Sequence, residues 1–172
     1  MIIYHIAVHI KEDRLRKERF LGHITFDELV CTCDGKQEAV RRLIIEHGRS
    51  IDLSNLPLGG ADLSMMDFSG ADLSRTNLDG ATLYGTCFRD ATLHGTCFRG
   101  ADLTYAILDG AHVERADFER AKLVRTSMKN TRLELAHWLA TARIRAVTGL
   151  DKRRGKFLQA LLACAKEAET KT

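Results

Sequence analysis

A five-residue period of large apolar side chains runs through the middle of the chain. From Leu53 to Leu133 every fifth residue is large and apolar, and eleven of these seventeen centre positions are leucine. The position two residues before each centre is usually small, with nine alanines and five threonines, and only Ile51, Leu56 and Met66 are larger. A period of five fits neither a helix, at about 3.6 residues per turn, nor a strand, at about 2. The pattern predicts a coil in which every fifth side chain points inward.

A square coil satisfies this period, because four sides of five residues return the chain to the same wall after 20 residues. Stacked turns would pair as parallel β-ladders about 4.8 Å apart, so the seventeen pentapeptides predict a rod roughly 20 Å tall. Glycine often follows two residues after a centre, where a tight corner needs positive φ. These glycines are Gly60, Gly70, Gly80, Gly85, Gly95, Gly100 and Gly110.

Several repeats carry a recognisable triplet. Ala61-Asp62-Leu63, Ala71-Asp72-Leu73 and Ala101-Asp102-Leu103 each spell the start of an A(D/N)Lxx motif. In these residues the chain resembles the pentapeptide-repeat family over about half of its length. The resemblance implies a mainly β fold: a right-handed quadrilateral parallel β-helix of about four turns. It implies less about function, because one scaffold can carry many roles.

The first 50 residues are predicted to form a cap of two strands and a helix. Apolar and polar residues alternate over residues 2–10, and a second strand-like run covers residues 20–26. A capping-box start at Asp34 and a helix stop at Gly48 bound the helix. Its apolar face consists of Val40, Leu43 and Ile44. A cap is expected because exposed strand edges invite aggregation. This lead-in resembles short phage- or prophage-encoded members of the family.

Residues 136–172 are predicted to form a helical cap and a dimerisation segment after the coil of residues 51–135. A first helix would carry Leu135, Trp138, Leu139 and Ala142. A second, beginning at Asp151, would group Phe157, Leu158, Leu161 and Leu162 on one side. That stripe must fold back on the first helix or meet a second copy. We expect a homodimer, the commonest oligomer geometry, and the family resemblance implies the same.

Composition and charge narrow the possible settings. The chain has 26 Lys and Arg against 23 Asp and Glu, and a net charge of +3 is too small to indicate nucleic-acid binding by itself. No run of about 18 apolar residues is present to span a membrane, and the N-terminus does not have the pattern of a secretory signal. Five cysteines without such a signal suggest reduced thiols. The expected location is the cytoplasm.

Candidate chemistry is sparse, which predicts a protein that is not an enzyme and needs no cofactor or metal. Cys31 and Cys33 form a close pair, but no second pair lies at metal-site spacing. Cys87 and Cys97 are half a turn apart, so they should face opposite walls and stay unbonded. No phosphate-binding glycine loop and no nucleophile with an assigned base is evident.

One wall of the predicted coil stands out by its exposed side chains. The wall centred on Leu63, Leu83, Leu103 and Leu123, here called the tyrosine wall, carries two of the three tyrosines. An aromatic, aliphatic and arginine cluster is typical of a binding patch. The predicted partner-binding residues are Met65, Tyr84, Tyr105, Val124 and Arg125, with Ile107 on the adjoining wall. Scattered surface apolar side chains, or a surface covered by a flank, remain open alternatives.

These features favour a non-enzymatic protein–protein interaction module, and the N-terminal resemblance extends this to an inhibitor carried by a phage or other mobile element. The alternative, which the family resemblance implies, is a DNA mimic that binds DNA gyrase or a related topoisomerase and protects it from quinolones. A mimic needs a dense acidic surface, whereas residues 51–135 have a net charge of only −3, from 9 basic and 12 acidic residues. Direct nucleic-acid binding through the basic C-terminal helices is a further possibility.

Overall fold

The repeat region forms the predicted coil. The computed structural model describes residues 35–47, 50–132, 142–149 and 155–156. Parallel bridges join residues 20 apart through the repeats, as when Asp62 pairs with Thr82 and Thr82 with Asp102. Each side contributes one bridged residue before the next turn, so most of the ladder consists of single bridges. The expectation of a mainly β pentapeptide coil is confirmed.

Three regular elements lie at the two ends of the described coil. Helix α1 spans Gly35–His47, strand β1 spans Lys122–Val124, and strand β2 spans Arg143–Arg145. The two strands pair in parallel. The predicted N-terminal strands over residues 2–10 and 20–26 lie outside the described residues.

The centre positions form a continuous apolar interior. All sixteen centres from Leu53 to Met128 are at most 1% exposed. Four phenylalanines run through this interior: Phe68 stacks on Phe88 with ring centroids 5.4 Å apart, and Phe98 stacks on Phe118 at 5.0 Å. Phe88 and Phe98 meet edge to face at 6.1 Å and join the two stacks. The inward assignment of the centres is therefore confirmed for every centre that the structure describes.

The second inward column explains why threonine alternates with alanine. Five buried threonine hydroxyls each donate a hydrogen bond to the carbonyl oxygen of the centre residue 23 positions earlier, at 2.6–3.0 Å. A buried hydroxyl without an acceptor would be costly, at about 1–3 kcal/mol in proteins. These five are Thr76, Thr86, Thr96, Thr126 and Thr131. Threonine is therefore tolerated because the turn below offers an acceptor.

The motif residue one before the centre closes the turn that follows. Within the ladder, the backbone N–H groups of Leu63, Met65 and Thr82 all donate to carbonyls of neighbouring turns. The N–H of Ser64 instead donates to the carboxylate of Asp62 at 3.0 Å. The same bond recurs from Ser74 to Asp72 at 2.8 Å. The aspartate of the A(D/N)L triplet thus satisfies an N–H that takes no part in the ladder.

Every corner uses a left-handed backbone. The residue two after each centre has φ between 55° and 72° from Asn55 to Asn130. The seven glycines predicted for this role all have it, and nine residues with side chains adopt it as well. Such a φ costs roughly 1 kcal/mol for a non-glycine residue. It is the φ that a type II turn requires at its third position.

Helix α1 contributes to the same core as the first turn. Val40 and Leu43 are fully buried and belong to one cluster with Ile51 and Leu53, while Ile44 packs against that cluster. The predicted helix with this apolar face is confirmed. It provides apolar cover next to the first described turn of the coil.

The coil continues beyond the predicted boundary at residue 135, which corrects the expectation of a helix through Ala142. Ala142 is buried, and β2 pairs directly with β1. The partners are 21 residues apart, as Leu123 is with Ile144, instead of 20. Of the other predicted cap residues, Leu135, Trp138 and Leu139 lie outside the described residues. Gly155 and Lys156 are helical, within the second predicted helix.

Candidate interaction surface

The tyrosine wall is a single stack of residues in the structure. Parallel bridges connect Asp62, Thr82, Asp102 and Lys122 in order, and the pairing of β1 with β2 adds Arg143. Neighbouring rungs of a sheet are about 4.8 Å apart. The wall therefore has five rungs and extends about 19 Å from the first to the last.

Most of the exposed large apolar side chains in the described part of the chain lie on this wall. They are Met65, 74% exposed, Tyr84, 45%, and Tyr105, 41%; the fourth is Ile45 on α1, 82%. The two tyrosine rings meet edge to face, with centroids 5.3 Å apart and planes at 66°. Such a pair contributes about 0.5–1.5 kcal/mol beyond its buried area, so each ring restrains the other.

Arg125 is held against Tyr105. A guanidinium N–H of Arg125 donates to the Tyr105 hydroxyl oxygen, and the guanidinium carbon lies 5.5 Å from the centroid of that ring. This cation–π contact and hydrogen bond fix the arginine on the wall. Val124, half-buried in β1, is adjacent in sequence. The structure thus brings Tyr84, Tyr105 and Arg125 together, as the sequence predicted.

Met65 has room on the wall because residue 85 is glycine. A β-carbon added at Gly85 would fall 2.5 Å from the Met65 sulfur. Gly85 also has a φ of +62°, which a side chain rarely adopts. Glycine is thus favoured at position 85 for two reasons: its positive φ, and the space that the exposed Met65 thioether occupies.

Two carboxylates on the wall are held in their ionised form. The hydroxyl and N–H of Ser64 both bond to Asp62 and lower the pKa of that carboxyl. Burial alone would raise the pKa of Asp102, but hydrogen bonds from the Thr104 hydroxyl, from Lys122 and from the Thr104 N–H together lower it. Lys122 Nζ lies 3.0 Å from Asp102 Oδ2.

Arg143 and Arg145 also belong to the wall, although the sequence analysis did not predict them there. Their register places Arg143 beside Lys122 and Arg145 beside Val124, and both side chains are exposed. The sequence carries a signal for this in the segment 142–146, Ala-Arg-Ile-Arg-Ala. It repeats the order of small, polar, apolar, polar and corner residues, shifted by one position.

The remaining predicted site residues lie elsewhere. Ile107 is half-buried on the adjoining wall, bridged between Cys87 and Ser127. Phe157, Leu158, Leu161 and Leu162, predicted for dimerisation, lie outside the described residues. So do Cys31 and Cys33.

Cys87 and Cys97 are both free thiols. Cys87 pairs with Asp67 in one ladder and Cys97 with Asn77 in another, so they face different walls as predicted. Burial raises the pKa of the Cys97 thiol, with Asp79 and Asp117 adding to the effect. A raised pKa makes this thiol less reactive.

The described segments also bear on metal binding and on membrane insertion. Across them, no group of three or more His, Cys, Asp or Glu side chains is arranged to hold a metal ion. None of the helices described there has the length and apolar character needed to cross a membrane.

Comparisons with known proteins identify the repeat. Two family profiles, both described as pentapeptide repeats, match residues 58–95 with eight copies and residues 78–122 with nine. A comparison with curated protein sequences gives no significant match.

Solved structures of similar proteins include a pentapeptide repeat protein from the Arabidopsis thaliana thylakoid lumen. It is 29% identical, with a TM-score of 0.52 over 60% of this chain and 77% of that one. A pentapeptide repeat protein from Nostoc is 27% identical, with a TM-score of 0.34 over 66% of this chain and 87% of that one. QnrB1, a plasmid-mediated fluoroquinolone resistance protein, is 16% identical, with a TM-score of 0.35 over 64% and 72%. The repeat profiles and the Arabidopsis structure agree with the coil described above, and residues 58–122 of the chain consist of pentapeptide repeats.

Proposed function

We propose that the protein is a non-enzymatic interaction module that binds a partner protein through the tyrosine wall. The observation that carries this proposal is the clustering of Met65, Tyr84 and Tyr105, three of the four exposed large apolar residues described, on one wall. Contiguous exposed apolar patches mark interaction sites. Tyrosine and arginine are also the residue types that dominate binding energy at protein interfaces.

The wall suits binding because its contact groups are already ordered. Tyr84 restrains Tyr105, and Tyr105 holds Arg125. A preorganised surface loses less conformational entropy on association than a flexible one. Such a surface acts on a partner by occupying one of its sites, so we propose that binding blocks that partner.

The experiment is affinity capture from a host lysate with three immobilised forms of the full chain. The double variant Tyr84→Ser with Tyr105→Ser should fold normally and lose the captured protein. The matched control is Ile45→Ser, which removes the exposed apolar side chain on α1 and should capture as wild type does. Equal capture by all three forms would contradict the use of this wall.

The alternative function, a DNA mimic that binds DNA gyrase, receives less support from the described residues. A mimic must present uncompensated carboxylates along its surface. Here Lys122 pairs with Asp102, and Arg99 pairs with Asp117 at 2.6 Å. The last rung of the tyrosine wall also carries two arginines. Protection of gyrase from a quinolone in a supercoiling assay would revive this alternative.

We also propose that the chain forms a homodimer through its C-terminal residues. The support is the sequence pattern of Phe157, Leu158, Leu161 and Leu162 on one side of a predicted helix. Light scattering on the full chain should give the mass of a dimer. The double variant Leu158→Glu with Leu161→Glu should give that of a monomer. A wild-type protein that is already monomeric at tens of micromolar would exclude the dimer.

A further inference from the structure

The last two rungs of the tyrosine wall, nearest the C-terminus of the described coil, carry four cationic side chains. Two of them have partners within the described part of the fold and two do not. Lys122 is paired with Asp102, and Arg125 is held on Tyr105. Arg143 and Arg145 are exposed and have no ion pair or hydrogen bond from their side chains among the described residues. Two arginines beside Lys122 and Val124 repel one another unless an anion lies between them.

The wall is therefore divided along its length. Its first three rungs hold the exposed apolar groups Met65, Tyr84 and Tyr105, and its last rung holds the unpaired arginines. Tyr105 and Arg145 are two ladder steps apart, or about 10 Å, and Tyr84 and Arg145 are three steps, or about 14 Å, by the usual spacing. An extended peptide covers these distances with about three to four residues at 3.3 Å each.

We propose that the partner docks on the tyrosine wall through an extended acidic peptide segment. This inference rests on the proposed function and specifies the chemistry of the partner. A large apolar side chain of that segment packs on Met65, Tyr84 and Tyr105. Carboxylates three to four residues away along the segment bind Arg143 and Arg145. Arginine suits this role because its planar guanidinium binds a carboxylate through two parallel hydrogen bonds.

Single-stranded nucleic acid is the competing occupant, because aromatic side chains beside arginines also bind unpaired bases and phosphates. Two observations disfavour it. Asp62 and Asp102 are ionised on the first and third rungs and would repel a backbone that carries a phosphate at every nucleotide, whereas the proposed peptide has its carboxylates only at the rung of Arg143 and Arg145. Tyr84 and Tyr105 lie at 66° to each other, so they do not offer parallel faces to successive bases.

The test begins with a random peptide library of about twelve residues, long enough in extended form to span the wall. It is selected against the immobilised full chain. The enriched sequences should combine a large apolar residue with two or more Asp or Glu within about four positions. Enrichment of neutral or basic sequences, or of none, would overturn the proposal.

The second step measures the affinity of the most enriched peptide by fluorescence anisotropy. Arg143→Glu with Arg145→Glu should weaken binding by at least about tenfold, since it replaces two attractive charges with repulsive ones. Arg89→Glu with Arg132→Glu makes the same charge change at exposed positions on other walls and should bind as wild type does. Equal affinity of both double variants would overturn the role of the arginines.

The outcomes separate this inference from the proposed function. If Tyr84→Ser with Tyr105→Ser abolishes peptide binding but Arg143→Glu with Arg145→Glu does not, the wall binds a partner of another charge and only the inference fails. A thymidine oligonucleotide of about twelve residues tests the competing occupant. The wall is a nucleic-acid site instead if the oligonucleotide binds wild type and loses that binding in both the tyrosine double variant and the Arg143→Glu with Arg145→Glu variant.

Discussion

Replacement of Phe88 tests the apolar interior where the two phenylalanine stacks meet. Phe88 is 0% exposed, stacks on Phe68 and meets Phe98 edge to face, so it links the two phenylalanine stacks. Phe88→Ala should cost about 3–5 kcal/mol through lost burial and the cavity left behind. Phe88→Asp adds an unpaired buried carboxyl, so its cost should be roughly 5 kcal/mol or more. Total stabilities of domains are only about 5–15 kcal/mol.

Phe88→Leu provides the graded comparison, because leucine is the residue at the centres immediately before and after it, Leu83 and Leu93. It should lose the two ring contacts and little else, about 1–3 kcal/mol. Urea unfolding followed by circular dichroism ranks the variants by their free energy of unfolding. Arg89→Ala, a change at an exposed neighbour, is the control and should lie within about 0.5 kcal/mol of wild type. The reasoning is refuted if Phe88→Asp unfolds at the same urea concentration as Arg89→Ala.

Two further changes test the corners and the paired carboxylate. Gly149→Ala should destabilise more than Gly100→Ala, by at least about 1 kcal/mol in urea unfolding. Both glycines have positive φ, but only at 149 would a β-carbon lie 2.6 Å from the backbone nitrogen of Lys129; equal losses would show that the clash is absent. Asp102 has a lowered pKa, so its contribution to stability is present at neutral pH and is lost as pH falls through its folded-state pKa. Lys122→Ala should therefore weaken the dependence of stability on acidic pH, and an unchanged profile would count against this ion pair.

The interior of the coil could be predicted because each inward column repeats the same chemistry many times. Position 53 and every fifth position after it must accept a large apolar group, and no other regular structure has that period. Because residues 20 apart stack, the neighbourhood of Tyr84 and Tyr105 could be predicted as well. The interaction between Arg125 and Tyr105 follows from the same stacking.

The end of the coil could not be predicted by the same count. A strict period of five makes residue 143 a centre position, and arginine cannot occupy a dry interior without a partner. The structure shifts the register by one residue, which places Ile144 inward and turns Arg143 and Arg145 outward. A one-residue shift exchanges the two faces of a strand. The only sequence evidence for this shift is the single pentapeptide at residues 142–146, which is too short to outweigh the helical pattern predicted for the flanking residues.

Met65 and Tyr105 are difficult to explain by folding alone. Each has a left-handed backbone, with φ of 60° and 61°, at a corner where Gly60 and Gly100 show that glycine is accepted. Each also exposes much of a large apolar side chain to water. The first feature costs roughly 1 kcal/mol for a residue with a side chain, and the second lowers solubility. The ladder and the core do not require these side chains, and we propose that what the tyrosine wall binds supplies the benefit that offsets both costs.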